Sequence, residues 1–283
     1  MQQKPTIAFV ADFFADEVPG GGEVNNDELI KLLSDDYCVM QIKSRNLDPM
    51  AIEHGLIDHY IIANFIQLSD QCRDKLVEKA SYIIYEHDHK YVRNRNPAAY
   101  RDYTVPATEI INLEFYKNAA AVLCQSEFHA GIVRMNLKLD NIVSLGGNLW
   151  TIDSLMLMKA IAAGKKRNKY AIIQTDNWHK STATAVRYCN VKNLEHELIG
   201  HCEPGQFLTK LGSNKTLVFF PQTPETLSRI VVEARMMGMT VITNQNVGAT
   251  KEPWFELKGE ELIDVMRSKR AEIPQVVKDV LSG

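Results

Sequence analysis

Apolar segments rich in β-branched and aromatic residues alternate with segments of helical periodicity along most of the chain. This alternation is typical of α/β proteins, in which helices join parallel strands and cover both faces of the sheet. The pattern predicts strands at residues 6–12, 37–43, 58–64, 81–87, 120–126, 141–147, 170–175, 196–201, 216–221 and 239–243. It predicts helices near residues 24–34, 69–80, 107–118, 127–136, 151–162, 180–190, 205–212, 224–237 and 259–270.

A polar and basic run from Gly164 to Lys169 separates these elements into two consecutive series. We interpret this run as a linker, which predicts one domain over residues 1–165 and a second over residues 166–270. Residues 271–283 include a short amphipathic stretch, and we expect it to form a helix that packs back on the first domain.

The composition is that of a soluble globular protein, with 45% hydrophobic and 24% charged residues and a formal net charge of -3. The charge gives no global basic field, so we expect no nucleic-acid partner. We also expect no integral membrane segment and no secretory signal, because no apolar run is long enough and the first residues lack a basic region and cleavage site. The five cysteines are scattered without a C-x-x-C pair, which favours reduced thiols in a cytoplasmic protein.

The most informative segment runs from Leu217 to Thr243 and predicts a buried strand, a helix and a second buried strand. Thr223 and Pro224 indicate the start of the helix, because a threonine oxygen can cap it and the fixed φ of proline suits its first position. Gly238 indicates its end, where a left-handed residue is needed.

This interpretation places Glu225 at the mouth of the helix and Glu233 about two turns later, roughly 12 Å along its axis. That separation resembles the distance from the sugar to the ribose of a nucleoside diphosphate sugar, and free N–H groups at the helix mouth would face the diphosphate. An alternative is equally open, in which Glu225 only complements the helix dipole and Glu233 is a solvated surface residue.

The order P-x-x-P-E-T-L-S-R-I-V-V-E-A-R-M-M-G-M-T-V-I-T resembles the E-x7-E signature of retaining glycosyltransferases of family-4 type (group 1), which have the GT-B fold. The resemblance implies two facing Rossmann-like parallel-sheet domains, with a nucleotide sugar bound mostly by the second. It implies that Glu225 holds sugar hydroxyls, that Glu233 holds the ribose, and that the donor diphosphate lies against the backbone of Thr226, Leu227 and Ser228. Leu227-Ser228 departs from the Phe-Gly of many members, which leaves somewhat less room there.

The first predicted strand leads through the loop Pro19–Glu23 into a helix. Glycines at such a turn let a ligand approach the backbone, although a glycine-rich turn without a ligand is common. The spacing is not G-x-G-x-x-G and no Walker lysine follows, which disfavours dinucleotide and P-loop sites. The resemblance implies that this loop, with Gly21 and Gly22, contacts the donor diphosphate or the acceptor.

A polar cluster with His87, Asp88 and His89 follows the fourth predicted strand. Ligands of open α/β sheets bind beyond the carboxyl ends of the strands, so this cluster lies where chemistry is expected. A metal site is disfavoured because no further ligand follows at a recognisable spacing. The resemblance implies a histidine beside the reacting sugar, and His87 is the better positional match, with His89 in reserve. Asp88, His89, Arg93 and Arg95 then belong to the acceptor side, and an ordinary solvated loop is the alternative.

The resemblance also implies an arginine and a lysine after the first strand of the second domain, both of which neutralise the leaving diphosphate. Lys180 matches the lysine, but no arginine occupies the expected place, so Arg229 or another residue would supply that charge. Gly248 and Ala249 lie in a loop whose backbone donors are expected to approach the donor sugar and diphosphate, although a plain turn fits these residues equally well.

The resemblance implies a hexosyltransferase-like, retaining and metal-independent glycosyltransferase. It would move a sugar from a nucleotide diphosphate sugar to a hydroxyl of a sugar, glycan or other acceptor, with no further cofactor. One alternative is a degenerate GT-B binding or scaffold protein, which the missing arginine and the short second half favour. Another is a nucleotide-sugar epimerase of the same fold.

Overall fold

The computed structural model describes residues 4–18 and 20–283, so Pro19 of the glycine-rich loop lies outside the described residues. The chain divides into two compact units. The first comprises the residues up to Gln125 together with Ala130–Leu149 and Arg270–Gly283, and the second comprises Ser126–His129 and Trp150–Lys269.

The sheet of the first unit consists of β1 Thr6–Ala11, β2 Cys38–Lys43, β3 His59–Ile62, β4 Tyr82–Glu86, β5 Ala121–Cys124 and β6 Ile142–Ser144. All its pairings are parallel, in the order β2-β1-β3-β4-β5-β6. Strand β1 is buried on both faces: Ala8 and Val10 pack in one apolar cluster, and Ile7 and Phe9 pack in another. This explains why its sequence is a continuous apolar run.

The sheet of the second unit consists of β7 Arg167–Ile173, β8 His196–Ile199, β9 Asn214–Phe219 and β10 Thr240–Thr243. It is also parallel, in the order β10-β9-β7-β8. Leu217 and Phe219 pack on one face and Val218 on the other, so β9 is again a strand buried on both sides. Each of the ten predicted strands overlaps an observed one, and the prediction of parallel sheets is confirmed.

The α-helices of the described residues are α1 Gly21–Leu33, α2 Pro49–Glu53, α3 Asp70–Lys79, α4 Leu113–Lys117, α5 Glu127–Leu137, α6 Ile152–Ala163, α7 Thr182–Val191, α8 Pro204–Gly212, α9 Arg229–Met236 and α10 Glu260–Ser282. Within residues 4–18 and 20–283, no helix combines the length and the apolar character that a membrane span requires.

The predicted helix over residues 107–118 is wrong in its first half. Residues 109–111 instead pair with residues 91–93: Val92 and Ile110 form an antiparallel bridge, and the N–H of Ile111 donates to the carbonyl of Tyr91 at 2.8 Å. Asn112 then takes a left-handed conformation with φ 59°, and of the predicted range only α4 is α-helical. Long-range pairing therefore overrides the local helical periodicity.

The residues from Glu260 to Ser282 form one helix rather than the two predicted over residues 259–270 and within residues 271–283. Pro274 lies inside α10, where it removes one backbone donor. Apolar packing continues on both sides of it, with Leu262 in the core of the second unit and Ile273 and Val277 in the core of the first. Continuous burial keeps the helix intact through the proline.

Apart from Ser126–His129, the second unit begins at Trp150, ahead of the predicted linker at residues 164–169. The second half of that polar run belongs to β7, and the preceding helix α6 packs Leu155 and Met158 into the core of the second unit. The polar character of the run thus marks the exposed start of a strand.

Candidate functional site

The candidate site of the second unit lies beyond the carboxyl ends of β7 and β9, which are neighbours in the sheet. The loop after β7 ends in a short 3-10 helix, Trp178–Lys180, and the loop after β9 leads into α9. The two loops are joined because the backbone N–H of Gln222 donates to the carbonyl of His179 at 2.7 Å. This connection fixes the backbone that carries Lys180.

Helix α9 begins at Arg229, so the predicted start at Thr223-Pro224 is wrong. Glu225 takes part in backbone pairing instead: its N–H donates to the carbonyl of Asn246 at 2.7 Å, and its carbonyl accepts from the N–H of Gly248 at 2.9 Å. Because Glu225 precedes the helix, the expected axial separation from Glu233 does not apply. The predicted end is correct, since Gly238 has φ 80°.

Lys180 and Glu225, which the sequence predicts at the diphosphate and at the sugar, form an ion pair. The Nζ atom of Lys180 donates to Oε1 of Glu225 at 2.6 Å. The lysine side chain is 35% exposed and the glutamate side chain 16%, so the pair is open to solvent on one side. Both groups are therefore within reach of a ligand.

Glu233 is oriented by two neighbours. Nε1 of Trp150 donates to its Oε1 atom at 2.9 Å, and Nε of Arg229 lies 3.7 Å from the same atom. The Arg229 guanidinium also stacks 4.4 Å from the centre of the Trp150 ring. The sequence does not reveal Trp150 as a site residue, because it lies 83 positions from Glu233 and belongs to no recognisable motif.

The mouth of α9 presents donors that have no partner among the residues that the structure describes. These are the backbone N–H groups of Leu227, Ser228 and Ile230 and the hydroxyl of Ser228. Ser228 is 6% exposed, and it caps the helix in a left-handed conformation with φ 73° and no side-chain hydrogen bond. Unpaired N–H groups at a helix start favour an anion, because the helix dipole is positive there.

Gly248 and Ala249 form backbone hydrogen bonds with the residues that precede α9. The N–H of Ala249 donates to the carbonyl of Leu227 at 3.0 Å, and that of Gly248 is bound to Glu225. A Cβ atom at Gly248 would lie 2.3 Å from the carbonyl oxygen of Thr226, which also accepts from the hydroxyl of Ser126. The backbone donors expected to approach a donor sugar are thus engaged within the loop, and the two small residues position residues 225–228.

The first unit places His87 beyond the carboxyl end of β4. Its Nε2 atom lies 2.6 Å from Oδ1 of Asn26, and its Nδ1 atom lies 2.5 Å from Nε2 of Gln125. Gly22 lies against the ring, since a Cβ atom there would be 3.5 Å from Cγ of His87. The structure therefore brings the glycine-rich loop and the predicted histidine together, whereas Gly21 is exposed at the first position of α1.

The other members of the cluster after β4 mostly point into the core. His89 is 2% exposed and lies 3.2 Å from the hydroxyl of Tyr91, whereas His87 is only partly buried. Lys90 is fully buried in an ion pair with Glu86 at 2.5 Å and reaches Asp88 at 3.0 Å. Although burial opposes its charge, the adjoining carboxylates raise the pKa of Lys90 to about 12.

Glu86 is the missed member of this cluster. Its side chain is fully buried at the end of β4, where it accepts from Lys90 and from the hydroxyl of Tyr116. Burial raises the pKa of this carboxyl group. In the described part of the chain, no three or more His, Cys, Asp and Glu side chains are grouped to hold a metal ion.

The remaining predicted acceptor-side residues lie in the exposed part of this loop. Arg93 and Arg95 are 63% and 52% exposed. Arg95 contacts Asp88 at 3.4 Å, and Arg93 contacts Glu109 at 3.5 Å.

No protein-family model matches the chain, and no curated protein matches it. Solved structures of similar fold do exist. HepE of Anabaena, in complex with UDP and glucose, has a TM-score of 0.53 at 12% identity, over 98% of this chain and 92% of that one. An alpha-glucosyltransferase in complex with UDP and a 13-mer DNA containing a HMU base has a TM-score of 0.51 at 8% identity, over 99% and 100%.

The UDP-GlcNAc 2-epimerase of Methanocaldococcus jannaschii, in complex with UDP-GlcNAc and UDP, is similar to the same degree. Its TM-score is 0.52 at 8% identity, over 99% of this chain and 100% of that one. Similarity at this level of identity shows the fold. Together with the two parallel-sheet units, it confirms the predicted α/β, Rossmann-like GT-B architecture.

Proposed function

We propose that the chain is a glycosyltransferase that moves a sugar from a nucleoside diphosphate sugar to an acceptor hydroxyl. The observation that carries this proposal is the arrangement at the mouth of α9, where Lys180 meets Glu225 beside the unpartnered donors of Ser228. A cation and free N–H groups suit a diphosphate, and carboxylates suit sugar hydroxyls. The similar structures that contain UDP or UDP-GlcNAc support this class of ligand.

In the proposed reaction, the bond between the anomeric carbon and the diphosphate oxygen breaks, and a bond to the acceptor oxygen forms. The acceptor proton leaves with the diphosphate, on which negative charge grows in the transition state. Lys180 and the N–H groups of Leu227 and Ser228 would stabilise that charge, which is electrostatic stabilisation by preorganised groups. We assign the neutralisation of the diphosphate charge to Lys180 and these N–H groups. The proposal therefore includes no divalent metal and no cofactor besides the donor.

We expect donor binding to separate the ion pair between Lys180 and Glu225. Binding of the donor would turn Lys180 towards the diphosphate and release Glu225 to accept hydrogen bonds from the sugar. Arg229 would supply part of the charge for which the expected arginine is missing, because it is the first residue of α9. Glu233, held by Trp150, would accept from the ribose through its second oxygen.

We assign the acceptor to the first unit, where His87 is held by Asn26 and Gln125. Such fixed polar groups beyond a strand end suit the orientation of a hydroxyl. Retention of the anomeric configuration is part of the proposal and rests on the resemblance of residues 221–243 to the retaining family.

Calorimetric titration of the full chain with UDP, GDP and ADP tests donor binding first. We expect one of these nucleotides to bind, and the absence of binding by all three would indicate a scaffold protein instead. Incubation of the matching nucleotide sugar with a panel of hydroxyl acceptors, followed by proton NMR, tests the reaction. We expect a new glycoside with the anomeric configuration of the donor. A sugar inverted at C2 with no glycoside formed would favour an epimerase, for which the similar fold is the supporting observation.

A further inference from the structure

A pocket of about 300 Å³ lies in the first unit beyond the carboxyl ends of the neighbouring strands β3 and β4. Most of the side chains that line it are apolar or cationic. They include Phe65, Ile66, Arg73, Val92, Arg93 and Arg95. Ligands of open parallel sheets bind at this edge, so its place in the fold is that of a binding site.

The charged lining of the pocket is all of one sign. Arg73, Lys90, Arg93 and Arg95 line it, and none of the described lining residues is acidic. The charges of Lys90 and Arg73 are already engaged, the first with Glu86 and the second with the carbonyl of Leu68 at 2.9 Å and with Asp70. Arg93 and Arg95 are the cations that remain open to a ligand.

The present contacts of these two arginines are weak. The Nε atom of Arg93 lies 3.5 Å from Glu109, the Nη1 atom of Arg95 lies 3.4 Å from Asp88, and both side chains are more than half exposed. Exposed pairs of this length contribute little stability, and each guanidinium has five N–H donors. A ligand can therefore recruit both groups without breaking a strong interaction.

The backbone at the rim of the pocket is held in an uncommon conformation. Arg95 has φ 55° and Asn112 has φ 59°, and both residues line the pocket. Asparagine tolerates this left-handed region, but arginine rarely adopts it, and such strain concentrates at ligand sites. The Arg95 conformation is fixed by its N–H, which donates to the carbonyl of Val92 at 2.8 Å.

The apolar part of the lining is also positioned by the fold. Phe65 and Val92 are buried, and Ile66 is 53% exposed. The carboxylate of Asp12 accepts from the N–H of Ile66 at 2.9 Å and from that of Gln67 at 3.0 Å, which fixes the loop after β3. Apolar surface beside guanidinium groups suits a small molecule that has both a carbon skeleton and an anionic group.

We propose that this pocket receives a small, hydroxyl-bearing acceptor that carries a phosphate group, with Arg93 and Arg95 bound to the phosphate. Guanidinium groups bind phosphate oxygens in a bidentate manner, and the apolar wall would take the carbon skeleton. The inference rests on the proposed function, whose acceptor class it names. A small acceptor is favoured over a nucleic acid because the pocket lies at the lower end of the usual size range, about 300–1,000 Å³, and the chain has a net charge of -3.

The test is calorimetric titration of the full chain with inorganic phosphate, glucose 6-phosphate, glucose and a single-stranded oligonucleotide. The variant is Arg93→Gln with Arg95→Gln, and the matched control is Arg101→Gln, whose side chain is 96% exposed and lies 3.4 Å from Asp102. We expect phosphate and glucose 6-phosphate to bind the wild type and the control, with Kd rising by about tenfold or more in the double variant. Glucose should bind far more weakly than its phosphate.

Several outcomes would overturn the inference. Equal phosphate affinity in the wild type and the double variant would do so, and so would phosphate binding that Lys180→Gln abolishes, because that phosphate would lie at the mouth of α9. Tighter binding of the oligonucleotide than of glucose 6-phosphate would overturn the small-acceptor class.

A parallel titration with UDP, GDP and ADP separates this inference from the proposed function, since the double variant should leave nucleotide affinity unchanged. If no nucleotide binds while phosphate binding still depends on Arg93 and Arg95, the phosphate site is upheld and the proposed function fails.

Discussion

Lys180 donates to Glu225 at 2.6 Å, although the two residues are 45 positions apart and follow different strands. Backbone hydrogen bonds at His179 and Glu225 fix the two loops, so each side chain is held next to the opposite charge. A partly exposed pair of this kind contributes only about 0–1 kcal/mol to stability, so a ligand can separate it cheaply. The pair keeps a cation and a carboxylate together at the mouth of α9 in the absence of a donor.

Lys180→Gln should weaken nucleoside diphosphate binding. A charge-assisted hydrogen bond contributes about 1.5–3 kcal/mol, so Kd should rise by at least about tenfold. The melting temperature should change little, because the lost ion pair is open to solvent. Calorimetric titration and thermal unfolding of the same preparation measure the two effects.

Lys165→Gln is the matched control, because it removes the same charge from an exposed residue of the same unit. Lys180→Arg should keep part of the affinity. An equal loss in Lys165→Gln and Lys180→Gln would show that only net charge matters and would contradict the assigned role of Lys180.

The sequence predicts the sheets well and the start of α9 badly, for one physical reason. A strand buried on both faces leaves a continuous apolar run, which is a local signal. Thr223 and Pro224 are equally good local signals for a helix start, but the pairing of Glu225 with Asn246 and Gly248 outweighs them. Partners that are distant in sequence leave no local trace.

The same limit applies to the site residues. The resemblance of residues 221–243 points to both glutamates, yet it says nothing about Trp150, whose indole N–H orients Glu233. Likewise, the sequence of the cluster after β4 does not reveal that His89 is buried and that His87 is only partly buried. The burial of each histidine depends on neighbours from other elements, such as Asn26 and Gln125.

If the Glu233 carboxylate accepts a hydrogen bond from the ribose, replacing it should weaken the preference for a nucleotide over its 2′-deoxy form. The wild type should bind UDP, or whichever nucleotide it prefers, about tenfold more tightly than the 2′-deoxy analogue, a difference of about 1.4 kcal/mol. Glu233→Gln should reduce this difference. The wild type and Glu233→Gln are each titrated with the nucleotide and with its 2′-deoxy form. These four titrations form a double-mutant cycle, which isolates the contact between the Glu233 carboxylate and the ribose 2′-hydroxyl.

Trp150→Phe provides the second arm of that experiment. It removes the indole donor but keeps the carboxylate, so discrimination should fall partway if the indole positions Glu233. Because Trp150 is buried, its variant also loses stability, and thermal unfolding must confirm that it is folded at the titration temperature. Unchanged discrimination in Glu233→Gln would contradict the ribose assignment.

Gly248→Ala should destabilise the second unit. A Cβ atom there would lie 2.3 Å from the carbonyl oxygen of Thr226 and 2.5 Å from the hydroxyl of Ser126, so the backbone must move. Such overpacking costs about 1–3 kcal/mol, and the shift would also weaken nucleotide binding by displacing residues 225–228. Urea unfolding and nucleotide titration measure the two consequences.

Gly131→Ala is the control for this change. Gly131 lies inside α5, and a Cβ atom there would meet nothing within 4 Å. Alanine is a better helix former, so the control should be stabilised by about 0.5–1 kcal/mol. A Gly248→Ala variant as stable as the wild type, with unchanged nucleotide affinity, would show that the loop tolerates a larger residue and does not position the helix mouth.

Lys90→Met should cause the largest loss of stability, because it leaves Glu86 buried without its cation. Breaking a buried ion pair on one side costs about 3–5 kcal/mol. The loss of stability should depend on pH, and the raised pKa of Glu86 determines whether the loss grows or shrinks as the pH rises. Burial raises that pKa above its ordinary value of 4.5, and removal of Lys90 raises it further.

A group whose pKa is raised on folding stabilises the protein most below its unfolded pKa, and this contribution disappears as pH rises through the folded pKa. The deficit of Lys90→Met relative to the wild type should therefore be smallest near pH 4 and grow towards pH 7. Glu86→Gln combined with Lys90→Met should recover part of the stability, since glutamine still accepts from Tyr116. Urea unfolding at several pH values checks both trends, and a deficit independent of pH would mean that the cost of Lys90→Met is lost packing rather than an unpaired charge.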